Sequence, residues 1–231
     1  MSFTCKSLKL ESQEKVLVDI SFSFQHTFAF IGESGSGKSL TLKALLGMLP
    51  KELTLHLEYD ASYVLERGKS VALVPQNPFT ALSPLTKIGQ QFMQEKDVSI
   101  AYLEMVGLEA SFLERFPSEL SGGQLQRLII AMALSLKPRL LLLDEPTTAL
   151  DEGSKGVILS LIQSLQRSLG FDLLFVTHDI ATVENLCDEV GIIQQGKIVE
   201  QGKTKEILVA PKEAYTKQLL SSGFRQRSFR T

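Results

Sequence analysis

Gly32-Glu33-Ser34-Gly35-Ser36-Gly37-Lys38-Ser39 fits the pattern G-x-x-x-x-G-K-[ST], a loop whose backbone N–H groups close around a chain of phosphates. Concentrated negative charge needs many donors at once, and glycines let consecutive peptides turn their N–H groups inward. A helix beginning at the end of such a loop adds its positive N-terminus. Lys38 can reach the outer phosphates, and the Ser39 hydroxyl can ligand Mg²⁺. The flanks agree with this reading. Phe28-Ala29-Phe30-Ile31 predicts a short buried strand, and Leu42, Leu45, Leu46 and Leu49 fall on one helical face.

Bulk properties narrow the class. A chain of 231 residues, 44% apolar and 22% charged, is ordinary for one globular domain. The net charge of −2 gives no global basic field for nucleic acid. Cys5 and Cys187 have neither metal nor redox spacing and are expected to be reduced thiols. No stretch is apolar enough to span a bilayer, and the N-terminus lacks a signal-peptide core, so a cytoplasmic chain is expected.

Val16, Val18, Ile20, Phe22 and Phe24 alternate with mostly polar neighbours, which predicts a half-buried strand in an N-terminal antiparallel sheet. Val71 to Val74 is a short apolar run stopped by Pro75. Asn77 to Leu120 is helical and less regular, broken by Pro78, Pro84 and Pro117, and reads as an inserted helical subdomain. Leu140 to Leu143 predicts a strand buried on both faces. Ile158, Leu161, Ile162, Leu165 and Leu169 predict a helix closed by Gly170. Leu173 to Val176 predicts a further buried strand, and Gln194-Gln195-Gly196 predicts a hairpin turn between Val190–Ile193 and Lys197–Glu200. Strands alternating with helices argue for an α/β fold with a mainly parallel central sheet.

Two motifs carry further chemistry. Asp144-Glu145 closes the Leu140–Leu143 run, where an acidic residue can hold Mg²⁺ through water and its neighbour can act as general base toward an attacking water. In Leu120-Ser121-Gly122-Gly123-Gln124-Leu125-Gln126-Arg127, Ser121 suits a helix N-cap and the two glycines expose backbone donors, making an anion site.

Leu120 to Gln124 resembles the Leu-Ser-Gly-Gly-Gln signature of ATP-binding cassette (ABC) ATPases, and it stands between the phosphate loop and Asp144-Glu145 in that family's order. Gln76 resembles the family's Q-loop glutamine, Ala149-Leu150-Asp151 its D-loop, and His178 its switch histidine. The resemblance covers nearly the whole chain and implies a P-loop NTPase of the ABC ATPase fold. Residues 1–76 and 121–231 would form the core, with its antiparallel β subdomain, and 77–120 the helical subdomain. It implies ATP and Mg²⁺ as cofactors, with ATP held by residues 32–39 and Leu40. Glu145, His178 and Gln76 would act in hydrolysis, and Ser39, Gln76 and Asp144 at the metal. Ser121, Gly122, Gly123 and Gln124 would close on the nucleotide of a partner cassette, with Asp151 in the D-loop.

Gln76-Asn77-Pro78-Phe79-Thr80-Ala81-Leu82-Ser83-Pro84, followed by Ile88-Gly89-Gln90-Gln91, resembles the peptide and nickel importers of the family. Gly196 to Gly202 and Ala210-Pro211-Lys212 through Tyr215-Thr216 to Leu219-Leu220 resemble their C-terminal hairpin and tail. Lys38 to Thr41, Leu45 to Pro50 and Leu125 to Arg127 are most similar to the ATPase subunits of nickel importers. Expected partners are a second, different ATPase subunit, two integral membrane permease subunits and an extracytoplasmic substrate-binding protein, with no nucleic acid. The chain would sit on the cytoplasmic face of the plasma membrane. The resemblance departs at Leu10 to Lys15, where the family's adenine-stacking aromatic is missing. The arginines of the 225–231 tail are expected at a solvated or membrane-proximal end.

Overall fold

Period-two alternation builds the first sheet. In the computed structural model, which describes residues 2–13, 15–148 and 150–225, β1 (Phe3–Ser12) and β2 (Lys15–Phe24) pair antiparallel. Val18, Ile20, Phe22 and Phe24 of β2 are buried while their neighbours face out, as the alternation predicts; Val16, near the strand end, is 43% exposed. After β3 (Thr27–Ile31) and α1 (Lys38–Leu45), β4 (Leu53–Asp60) returns to pair with the other edge of β1, giving the order β2-β1-β4. The chain continues through β5 (Val71–Val74), α2 (Ile88–Gln91), α3 (Lys96–Met105), α4 (Gly122–Ser135), β6 (Leu140–Asp144) and α5 (Glu152–Leu169). It ends with β7 (Asp172–Thr177), α6 (Ile180–Leu186), β8 (Glu189–Gln194), β9 (Lys197–Lys203), α7 (Thr204–Val209) and α8 (Ala214–Arg225).

Two compact units result, Met1–Val64 with Asp172–Thr231, and Leu65–Phe171. In the first, β3 lies between β7 and β8 and is parallel to both, and β9 joins β8 antiparallel. Every residue of β3 and β7 is buried. Phenylalanines fill the core: Phe22 and Phe28 meet Phe30 edge-on at 4.9 and 5.0 Å between centroids, and Phe3 and Phe24 extend the cluster. Such pairs add about 0.5–1.5 kcal/mol each beyond their area burial. The predicted hairpin is present, with Gln195 and Gly196 both at positive φ, the geometry that matches strand twist in a two-residue turn.

In the second unit β5 and β6 pair in parallel, and Leu140 to Leu143 are wholly buried, as a strand covered on both faces requires. Short 3₁₀ turns at Pro78–Thr80, Ala110–Glu114 and Pro117–Glu119 accompany α2 and α3, so the proline-broken stretch is helical in short pieces. Gln91 folds part of it: its amide donates to the carbonyls of Ser83 (3.0 Å) and Thr86 (2.7 Å) and accepts from the Ser83 N–H (2.8 Å).

Two predicted helical faces need correction. α1 ends at Leu45 with Leu46 as its cap and Gly47 at φ 67, so Leu49 lies beyond the helix. In α5, Ile158, Ile162 and Leu165 are buried and Gly170 is the cap, but Leu169 in the last turn is exposed. Of the predicted features, Ala149 in the D-loop stretch, Glu14 in the stretch lacking an aromatic, and residues 226–231 of the tail lie outside the described residues. Among the described residues no helix is long and apolar enough to cross a membrane.

Candidate active site

The phosphate loop, residues 32–39, joins β3 to α1 in the first unit. Gly32 has to be glycine because a Cβ there would collide with the carbonyl oxygen of Ile193 on β8. Gly37 caps α1 without any side-chain hydrogen bond, so the first N–H groups of Lys38, Ser39 and Leu40 keep the donor character of a helix start. Lys38 is 5% exposed, and its ammonium curls back into the loop. It donates to the carbonyls of Gly32 (2.7 Å) and Glu33 (2.8 Å) and to the Ser36 hydroxyl (3.4 Å). A buried cation needs such acceptors, and here the loop supplies them. Glu33, Ser34 and Gly35 are exposed at the loop's crest.

Residues far along the chain brace the loop from behind. The Gly196 N–H donates to the Ser36 carbonyl (2.9 Å), and the Gly196 carbonyl accepts from Asp19 (2.7 Å). The Glu33 N–H donates to the Tyr215 hydroxyl at 3.3 Å. His178 follows β7 in the same unit and is exposed; the next residue, Asp179, donates its N–H to the Thr177 hydroxyl (2.9 Å), which fixes the turn.

The second unit gathers the acidic and signature residues. Asp144 is the last residue of β6, and Glu145 follows at φ 45, a left-handed conformation unusual for a side-chain-bearing residue and often found at functional sites. One carboxylate oxygen of Glu145, Oε2, accepts from the Gln76 amide (3.2 Å) and from the Thr148 hydroxyl (3.0 Å). Gln76 and Glu145, chosen separately in the sequence, therefore touch. A carboxylate fixed by two donors at a strand end can take a proton from a water placed beside it.

Ser121 caps α4 as predicted. Its hydroxyl accepts from the Gln124 N–H (3.3 Å), and the Gln124 side chain accepts from the Ser121 N–H (2.9 Å), a reciprocal capping box. Gly122 and Gly123 form the first turn of the helix. Asp151 caps α5: its carboxylate accepts from the Ser154 hydroxyl (2.7 Å) and N–H (3.0 Å), and these bonds hold it below its ordinary range. A Cβ on Gly123 would lie 3.5 Å from the Ser154 hydroxyl, so the signature turn and the start of α5 are neighbours.

The family model described as ABC transporter matches residues 17–148. This chain belongs to that family. The ABC ATPase is therefore an ATP-binding protein, with the family's α/β fold. It is 37% identical over 225 residues to the oligopeptide transport ATP-binding protein OppD of Bacillus subtilis, covering 85% of this chain and 62% of that protein. Identity is 37% over 232 residues to the dipeptide transport ATP-binding protein DppF of Haemophilus influenzae, with 91% and 71% covered. The metal-staphylopine import system ATP-binding protein CntD of Staphylococcus aureus is 33% identical over 238 residues, with 91% and 88% covered.

Three contributors escaped the sequence. Thr148 stood in plain view two residues after Pro146, but only the fold turns its hydroxyl onto Glu145. Gly196 was read as a turn residue and Tyr215 as part of a tail, yet both reach the phosphate loop.

Proposed function

We propose that this ABC ATPase is the ATP-hydrolysing subunit of an importer for peptides or metal-chelate complexes. The observation that carries the hydrolytic reading is the pair of donors, Gln76 and Thr148, on the Glu145 carboxylate at the end of β6. Residues 32–40 bind the triphosphate, with Lys38 exchanging its loop acceptors for phosphate oxygens. Glu145 takes the proton of the attacking water, and His178 orients the γ-phosphate. Ser39, Gln76 and Asp144 offer oxygen donors, the set that suits Mg²⁺, which neutralises phosphate charge when bound. The Ser121–Gln124 turn, an uncharged helix start with two glycines, serves the nucleotide of a partner cassette, and Asp151 keeps the adjoining turn in shape.

Import is supported by the names of the similar proteins and by the Gln76–Gln91 segment, whose last residue ties the Ser83–Thr86 loop. Within that class the stretches around Lys38, Leu45 and Leu125 resemble the ATPase subunits of nickel importers, and the cargo is nickel or a peptide. The partners are a second, different cassette, two membrane permeases and an extracytoplasmic binding protein, with this chain peripheral on the cytoplasmic face. The test is to tag the chain in its native cell, solubilise membranes gently and identify what co-purifies. Two permeases and a second cassette are expected; nucleic-acid or ribosomal partners in the soluble fraction would overturn import. Nickel and peptide uptake by a deletion strain then discriminates the cargo.

A further inference from the structure

The Tyr215-Thr216 to Leu219-Leu220 tail has no part in the chemistry above, yet it is built onto the phosphate loop. α8 is clamped to β9 by Glu200, a buried carboxylate that accepts from the N–H groups of Lys212 (2.8 Å) and Glu213 (3.2 Å) where the helix starts. An anion at that end of a helix is stabilised by the helix dipole as well as by the bonds. One turn on, Thr216 is fully buried and Leu220 nearly so, which seats the helix. Tyr215 lies between these anchors, and its hydroxyl accepts the Glu33 N–H at 3.3 Å across 182 residues of chain.

That bond fixes the Gly32–Glu33 peptide through its N–H, while Lys38 holds the carbonyl of the same peptide, that of Gly32. When Lys38 turns toward phosphate, the carbonyl side is released and Tyr215 remains. A loop kept in shape before its ligand arrives loses less freedom on binding, which raises affinity without any new contact to the ligand.

We propose that Tyr215 is a positioning residue for nucleotide binding, holding the Glu33 peptide through a C-terminal helix anchored at Glu200. This rests on the reading of residues 32–40 as the ATP site. The test is ATP affinity by calorimetry on the full chain, wild type beside Tyr215→Phe, with the melting temperature of each nucleotide-free chain. One hydrogen bond of this kind predicts ATP binding weaker by about 2- to 10-fold for Tyr215→Phe, with nucleotide-free melting lowered by no more than about 2–6 °C. Glu200→Gln should weaken ATP in the same direction, and the double variant should lose no more than the larger single, because both act through one helix. Unchanged ATP affinity in Tyr215→Phe, or a lower melting temperature without an affinity change, overturns the proposal, as do additive losses in the double variant. A wild-type chain that fails to bind ATP overturns the nucleotide site itself, a different failure that the same titration reveals.

Discussion

Gln126 sits in the signature helix two residues past Gln124, is fully buried, and neither its amide nitrogen nor its amide oxygen has a hydrogen-bond partner among the described residues. Its neighbours one turn away on the same face are Gly122 and Ile130, and α4 packs on α3, α5 and β5. A buried amide that has given up water without replacement costs about 1–3 kcal/mol. Gln126→Leu removes both orphan atoms and leaves a side chain of similar size. Imperfect shape returns about 1 kcal/mol of that gain. The net expectation is a chain more stable by up to about 2 kcal/mol, which for a domain of this size raises the melting temperature by up to roughly 8 °C. Gln126→Glu should do the opposite, because it places a carboxyl group where no described residue receives it. The assay is thermal unfolding of the nucleotide-free full chain by far-UV circular dichroism, with the three proteins side by side. A melting temperature for Gln126→Leu equal to or below wild type refutes the reasoning and means that the amide is satisfied in solution.

Glu145→Gln keeps the side chain's shape but cannot take a proton, so steady-state hydrolysis should fall by about 10²- to 10⁴-fold with ATP still bound; undiminished turnover would contradict the assigned base. Lys38→Ala should weaken ATP binding and also lower nucleotide-free stability, since it strips a cation from the Gly32 and Glu33 carbonyls; equilibrium binding and melting curves check both, and unchanged affinity counts against the loop assignment. Gly196→Ala should destabilise the chain by more than about 2 kcal/mol, because φ is 77 and a Cβ would collide with the Leu17 carbonyl; an unshifted melting curve would show that the turn adapts. Burial pushes the Cys5 thiol up to about 12 and raises Cys187 as well. Thiolate forms only as pH approaches the pKa, so near pH 8 the reactive fraction of Cys5 is roughly one in ten thousand, and iodoacetamide should label neither cysteine until the chain is denatured. Native-state labelling at the rate of a free thiol would refute that.

Elements with an unbroken period were legible: β2 by alternation, β6 and β7 as continuous apolar runs, α5 by its face and its closing glycine. β1 was hidden by a change of phase. Phe3 and Cys5 point inward, then Leu8 and Leu10 do, because the register slips between Cys5 and Leu8 at a bulge, and a period-two reading fails across it. β4 does alternate, but as an edge strand it buries no residue completely, so its apolar face is shallow. The chemistry was legible where it is local. The capping box of Ser121 and Gln124 spans three residues, and the phosphate loop spans eight. What stayed hidden depends on long-range folding, such as Tyr215 on Glu33, or on a backbone turn such as the positive φ that brings Glu145 into its present geometry.

The two groups assigned the hardest work are both already engaged by their own surroundings. Lys38 is surrounded by three oxygens of its loop, and Glu145 Oε2 by Gln76 and Thr148. Neither arrangement is a finished catalytic geometry, since phosphate needs the ammonium and water needs the carboxylate. ATP affinity is then the difference between phosphate and the Gly32 and Glu33 carbonyls as partners for Lys38, well below the gross strength of a charged hydrogen bond. The same logic gives Gln76, proposed above as a metal ligand, a second part. While its amide rests on Glu145, the proposed base is tied to the segment that begins at Asn77 and runs through the Gln91-held loop. Anything that displaces that segment changes the partners of the base directly. A subunit docking there could govern hydrolysis with no contact to the nucleotide, because the carboxylate it would influence is one hydrogen bond away.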